Sequence, residues 1–438
     1  MPARQLLHGR RASVRAALRR GPRPGLRPGR GLAPVHHRHP TDPQLHGRVR
    51  SPVPRPPDSA LGARVQHRRR HRLLRSARGD SVAPGKGLTR PSPPSPPGGG
   101  AIIHCGPASL TPDWGMSDFD EPVPYDATAV RPAYETLPAA VQARIEKELG
   151  GRPTAITMAG GGFTGGFAAK LRTESGAELF IKAVGADKPY VHRAYVQEAR
   201  INPALPEGLP APRLEFSVDV ADWTVLGFEA VEGRALALPM SAESLQLMLN
   251  AWAEAAALLT PAPQQLLDLG VSAVPIDESL QRFKGVAAGD VAPFWLPPAL
   301  EGRVDQLAEL DAGIDEALQA DSVMHFDLRP DNMILGTDRA WICDWNWLQV
   351  HATWFDTACF LVAAHGDGHD AESLFWSHPT AKGVSQDQLD TGLAAITGYY
   401  LAQSMEDLIP GVSPYIRKHQ RWSGIAVADW LAARRGWN

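Results

Sequence analysis

Residues 325–347, HFDLRPDNMILGTDRAWICDWNW, set Asp327, Asn332 and Asp344 among apolar residues of buried-strand type. A carboxylate in such company is costly unless it is paired or meets a cation, so the group points to a salt-bridged core or to a metal and substrate site. The spacing favours the second. Arg329-Pro330 keeps the start of the stretch from being helix, and 333–335 and 340–343 read as two short strands turned around Gly336-Thr337-Asp338. Such a hairpin returns Asp344 to the side of Asn332. A carboxylate and a carboxamide oxygen meeting there suit Mg²⁺, which takes few protein ligands and completes its shell with phosphate and water. Asp327, close by, is left free to accept a proton from a hydroxyl.

A second group lies upstream in ITMAGGGFTGGFAAKLRTESGAELFIKAV. Gly160, Gly162 and Gly165 satisfy G-x-G-x-x-G, but a dinucleotide fingerprint needs a helix to open at its last glycine. Here 167–173 and 178–184 alternate as strands around Glu174-Ser175-Gly176. The stretch therefore reads as a glycine-rich loop followed by a β-hairpin, a flexible flap over Gly161, Gly162, Phe163, Thr164 and Gly165 whose N–H groups can approach phosphate oxygens. A plain surface hairpin is the alternative. Lys182, in the apolar run FIKAV, is poorly solvated unless it meets an anion, and Glu198 follows sixteen residues later on the helical stretch YVHRAYVQEAR. Taken singly these are a snorkelling lysine and an exposed glutamate; taken together they are an ion pair that holds an ammonium toward phosphate.

These residues need two lobes to position them. LPAAVQARIEKELG places Val141, Ile145 and Leu149 at helical spacing and ends on Gly150. After the strand-like RLEFSV and TVLGFEAV, residues 228–233 leave strand periodicity, which makes Glu229 and Val231 part of a crossover and of the cleft expected at a lobe junction. SAESLQLMLNAWAEAAALLT then sets Leu245, Met248, Leu249, Trp252, Ala256 and Leu259 on one helix face, so the second lobe is mainly helical. The end of the chain reads as a helix with Arg434 and Arg435 in its last turn and Gly436 after it. His365 and His369 form H-x-x-x-H, but the glycines between them favour a solvated loop over a zinc site.

Composition divides the chain. Residues 1–100 carry 22 Lys and Arg against three acids, and the first aromatic residue is Trp114. Such an Arg/Pro/Gly-rich stretch cannot offset its ordering entropy, and residues 1–115 read as a disordered basic tail. Translation of GC-rich DNA upstream of a start at Met116 produces the same mixture, and a nucleic-acid- or membrane-binding arm is the alternative. The body, 101–438, holds 23 basic and 44 acidic residues, a net charge of about −21, so it is not expected to bind nucleic acid. Without a membrane run, and with Cys105, Cys343 and Cys359 at no disulfide or metal spacing, it reads as cytoplasmic.

Asp327-x4-Asn332 followed by Asp344 resembles the catalytic and metal motifs of the aminoglycoside phosphotransferase family, within the protein kinase-like superfamily. The likeness runs in order through the glycine loop, Lys182, Glu198, FEAVEGR and Trp354-Phe355-Asp356, over roughly residues 130–438. It implies an α+β bilobal kinase-like fold, with a small lobe carrying an antiparallel sheet over 116–230 and a larger helical lobe over 231–438. It further implies transfer of the γ-phosphoryl of ATP or GTP to a small hydroxylated acceptor, with Asp327 as the base or orienting group and Asn332 and Asp344 on Mg²⁺. Lys182, steadied by Glu198, would meet the phosphates; His325 and Asp356 would be structural. Phe326, Arg329 and Asn346 depart from the family's usual residues and concern the acceptor side. The acidic body suits a cationic acceptor. A nucleotide-binding pseudokinase or regulatory module is the alternative; it leaves Lys182, Asp327, Asn332 and Asp344 without a task.

Overall fold

Alternating apolar residues build the small lobe. Behind α1 (Ala139–Leu149), β1 (Pro153–Met158), β2 (Phe167–Thr173) and β3 (Glu178–Gly185) lead to α2 (Pro189–Ile201), and β4 (Leu214–Val220) and β5 (Trp223–Phe228) complete one antiparallel sheet in the order β1-β2-β3-β5-β4. The computed structural model describes residues 121–276 and 278–437, all within the unit Gly100–Asn438. The reading of residues 1–115 as a disordered tail lies outside the described residues.

The β2–β3 register sets Phe167 opposite Ala183 and Ala168 opposite Lys182, as the alternation predicts. On one face Phe167, Ala169, Leu171, Ile181 and Val225 pack against Val141, Ile145 and Leu149 of α1. On the other, Val184, Leu226 and Phe228 meet Val191, Ala194 and Tyr195 of α2. The two-residue period of a strand puts Lys182 on this second face, toward α2. Gly150 closes α1 in the left-handed conformation (φ 81°) that its capping role requires.

The large lobe follows a short β6 (Arg234–Ala235). It comprises α3 (Ala242–Leu258), α4 (Gln264–Asp268), α5 (Arg282–Ala288), α6 (Val304–Asp311), α7 (Ile314–Ala317), then β7 (Val323–Met324), β8 (Met333–Leu335), β9 (Ala340–Ile342) and β10 (Gln349–Val350), and finally α8 (Trp354–Gly366), α9 (Ala371–Ser377), α10 (Gln386–Gln403) and α11 (Tyr415–Arg435). Ser241 caps α3 by accepting the Ser244 N–H at 3.1 Å, and Trp252 on its buried face donates to the Thr357 hydroxyl of α8 at 3.0 Å. α11 ends at Gly436 (φ 63°), with Arg434 on Glu372 and Asp390 and Arg435 on Asp390. No described helix is long and apolar enough to cross a membrane.

The chain is therefore an α+β fold of two lobes, a small one around an antiparallel sheet and a larger, mainly helical one. One stretch serves both. Val123 and Tyr125, placed with the small lobe by the sequence, are buried in the large lobe's core, where the Tyr125 hydroxyl bonds His419 Nδ1 at 2.9 Å; Tyr134 and Leu137 lie in the small lobe. Residues 121–131 thus strap one lobe to the other.

Candidate active site

The face of β3 that looks toward α2 carries the first cluster. Lys182 Nζ donates to both carboxylate oxygens of Glu198, at 2.8 and 2.7 Å, and to Asp344 Oδ1. All three ammonium donors are used. The Lys182 and Glu198 side chains are only 10% and 3% exposed. Burial works against the Lys182 charge, but Asp344 and Glu198 outweigh it and raise its pKa. Burial lifts Glu198 to about 7 against the pull of Lys182. Asp344 goes the other way: Lys182 overcomes the burial penalty and holds its carboxyl below the usual range.

The loop from β7 to β8 supplies the second cluster. Asp356, at the start of α8, accepts the N–H groups of His325 and Phe326 at 2.8 Å each, and this grip holds Phe326 at φ 65°. A non-glycine residue there is strained and needs such over-determination. Asp327 N–H donates to His325 Nδ1 at 3.3 Å, so the ring carries its proton on Nε2, which meets the Cys343 carbonyl at 2.9 Å. Burial pushes this imidazole down to about 4. His325 and Asp356 shape the loop, as expected. Burial also pushes Asp356 up to about 7.

Asp327 is not free, contrary to the expectation. Arg329 reaches it with one guanidinium nitrogen and grips Asp331 with two others at 3.0 and 3.1 Å. Asn332 Nδ2 donates to the Asp327 backbone carbonyl (2.8 Å) and to its Oδ2 (3.1 Å), which leaves the amide oxygen as the end of that side chain suited to a cation. Burial lifts the Asp327 carboxyl to about 6 despite Arg329. The β8–β9 hairpin closes with Cys343 N–H on the Asn332 carbonyl at 2.8 Å, and Asp344, at φ 61°, follows this contact in the chain.

The glycine loop is a clamped segment, not a free flap. Its residues Gly161, Gly162 and Thr164 line the cleft, whereas Phe163 turns away, buried with its ring stacked on His419 (5.2 Å) and under the Arg329 guanidinium (5.3 Å). Gly165 also lies outside the cavity lining: its N–H donates to Gly411 at 2.7 Å and its carbonyl accepts Lys188 Nζ at 2.8 Å. The glycines admit protein backbone. A Cβ on Gly160 would sit 2.0 Å from the Asp126 carbonyl oxygen, and one on Gly165 2.6 Å from that of Gly411.

Between the lobes lies a cavity of about 420 Å³. Phe180, Phe228, Met333 and Ile334 line it with the crossover residues Glu229 and Val231 and with Lys182, Glu198 and Asp344, and the Lys182 ammonium stands 5.4 Å over the Phe228 ring. Glu229 directs its carboxylate to the Arg213 N–H (2.9 Å). Among the described residues no three His, Cys, Asp or Glu side chains gather as a metal site. The donors on hand are one carboxylate and one carboxamide, a set that fits Mg²⁺ completed by phosphate and water. His365 and His369 part company: one bonds Asp429 (2.9 Å), the other the Met240 carbonyl (3.0 Å).

Arg131 escaped the sequence reading, and Arg329 entered it only as a departure on the acceptor side. Arg329 could have been suspected from D-x-R-x-D over 327–331. Arg131, which also lines the cavity, could not, because its partners are backbone carbonyls 28 to 35 residues away.

No protein-family model and no curated protein matches the chain. Among solved structures it is similar to an aminoglycoside-3'-phosphotransferase of type VIII, at 24% identity over 56% of this chain and 93% of that one, with a TM-score of 0.37. It is similar to the GDP and kanamycin complex of APH(2")-IIia at 13% identity over 68% and 98%, with a TM-score of 0.47. For the choline kinase LicA from Streptococcus pneumoniae the figures are 14% identity, 66% and 98%, and a TM-score of 0.41.

Proposed function

We propose that the chain is a small-molecule phosphotransferase that moves the γ-phosphoryl group of ATP or GTP to a hydroxyl of its acceptor. The observation that carries this reading is the Lys182–Glu198–Asp344 cluster on the wall of an inter-lobe cavity, its Lys182–Glu198 pair buried, with Asn332 and Asp327 on the neighbouring loop.

The apolar side chains of the cavity and the crossover around Glu229 and Val231 receive the base, and Lys182, fixed by Glu198, receives phosphate oxygens. Asn332 and Asp344 hold Mg²⁺, which when bound neutralises phosphate charge. Asp327 accepts the acceptor's proton or orients its hydroxyl, and Arg329 tunes how readily it does so. Phosphoryl transfer has a loose transition state, so positioning and charge neutralisation account for most of its catalysis, and these groups supply both. The acidic body favours a cationic acceptor.

Nucleotide turnover against a panel of hydroxylated amines, sugars and aminoglycosides tests the proposal. Acceptor-dependent release of ADP or GDP supports it. Nucleotide binding with no turnover on any acceptor would leave a nucleotide-binding regulatory module in its place.

A further inference from the structure

The clamped loop has an uneven hydrogen-bond account. Every carbonyl from Ala159 to Gly166 accepts a bond from elsewhere in the protein. Ala129 N–H takes Gly160 (2.8 Å), the Thr128 hydroxyl takes Gly162 (3.3 Å), Ser413 N–H takes Phe163 (2.7 Å) and Lys188 takes Gly165 (2.8 Å). The other four belong to a single side chain. Arg131 donates from Nε to Ala159 (3.1 Å), from one terminal nitrogen to Thr164 (3.1 Å) and Gly166 (3.0 Å), and from the other to Gly161 (2.8 Å). Among the described residues, by contrast, the N–H groups of Gly160, Gly161, Gly162, Phe163 and Thr164 have no partner.

A loop whose carbonyls are bound and whose N–H groups are unpartnered keeps those N–H groups available to an anion. We infer that Arg131, from the strap preceding the small lobe, is a positioning residue for the nucleotide phosphates: it collects four loop carbonyls so that the loop amides remain for phosphate oxygens. This inference rests on the phosphotransferase reading. Geometry supports a role beyond folding. Arg131 lines the same cavity as Gly160, Gly161, Gly162 and Thr164, and its terminal nitrogen would lie 3.0 Å from a Cβ on Gly162 (φ 90°). The rigid fork is also matched to this task, since a lysine ammonium cannot span carbonyls on both sides of the loop.

The test compares ADP with adenosine, or GDP with guanosine if guanine is preferred, by calorimetry with Mg²⁺ on the full chain. Arg131→Gln should weaken diphosphate binding by about ten- to a hundredfold while leaving the nucleoside unchanged, the scale of a lost charge-assisted hydrogen-bond set. A residue that merely stabilised the fold would weaken both alike. Arg131→Lys keeps the charge and loses the fork, and should lower the ratio of diphosphate to nucleoside affinity by at least about threefold. Should Arg131→Gln not fold, that ratio decides alone. A ratio equal to wild type in either folded variant overturns the inference. Wild-type protein that binds neither diphosphate would instead overturn the phosphotransferase reading itself.

Discussion

Replacing Arg329 by Gln probes the tie between the proposed base and its neighbouring guanidinium. Gln keeps an N–H for Asp331 but removes the charge beside Asp327. In the present structure the Asp327 carboxyl titrates at about 6, raised by burial and lowered by Arg329. The ionised form is the one that can accept a proton, so activity rises as pH passes upward through that value. An opposite charge in contact lowers a carboxylate pKa by about 1–3 units, so its loss should carry the limb to about 7–9. With a limb at about 8, the ionised fraction at pH 7 falls from roughly nine-tenths to roughly one-tenth, an approximately tenfold loss recovered near pH 9. The assay is kcat/KM against pH from 5 to 10, with melting curves to confirm folding and Arg329→Lys as the charged control. A limb that stays at its wild-type position, or a loss that alkaline pH does not recover, would refute this reasoning.

Asp327→Asn should lower kcat by about 10²–10⁴-fold with nucleotide affinity little changed, read from steady-state kinetics and calorimetry. The same substitution should stabilise the fold at neutral pH. The folded pKa lies above the ordinary 3.8, so stability is lost as pH rises from about 4 through about 6, and a neutral amide removes that loss, on the order of 1–3 kcal/mol. Urea denaturation should show the gain at pH 7 and not at pH 4. Asp344→Asn should abolish Mg²⁺-supported turnover yet remain folded by circular dichroism, because Glu198 still holds Lys182. Lys182→Met leaves two buried carboxylates without their ammonium and should cost about 3–5 kcal/mol in denaturant melts as well as abolish turnover. Adding Glu198→Gln should restore part of the stability and none of the activity.

How much of this was legible in the sequence follows from where each signal resides. Periodicity located β2, β3, α1 and α3, because burying one face of a strand or helix leaves a repeat in the chain. The Asp327–Asn332–Asp344 arrangement was legible because a tight loop and a short hairpin connect it, so spacing nearly dictates geometry. The Lys182–Glu198 pair was legible because a lysine in an apolar strand demands a partner. The glycine loop was only half legible. Absence of a Cβ announces that something approaches closely, but it does not say whether that is a phosphate or, as at Gly160 and Gly165, the chain's own backbone. Nor does any residue type at 411–413 announce the N–H and carbonyl groups that hold Phe163 and Gly165. Contacts made by backbone atoms leave no composition to read.

The two ionic clusters share one arithmetic. Lys182 is divided between Glu198 and Asp344, and Arg329 between Asp327 and Asp331, so each cluster sets two carboxylates against one cation. After burial, the extra carboxylate raises one acid in each cluster: Asp331 and Asp344 raise Asp327, and Asp344 raises Glu198, while Lys182 holds Asp344 itself low. A nucleotide brings further negative charge toward the same cavity. Lys182 and Arg329 are already shared between carboxylates, and Arg131, in the same cavity as Lys182, is engaged by loop carbonyls. A divalent ion held by Asn332 and Asp344 would add two positive charges to this balance. On the proposed reading, the basicity of Asp327 would then depend on how much of Arg329 remains for it beside Asp331.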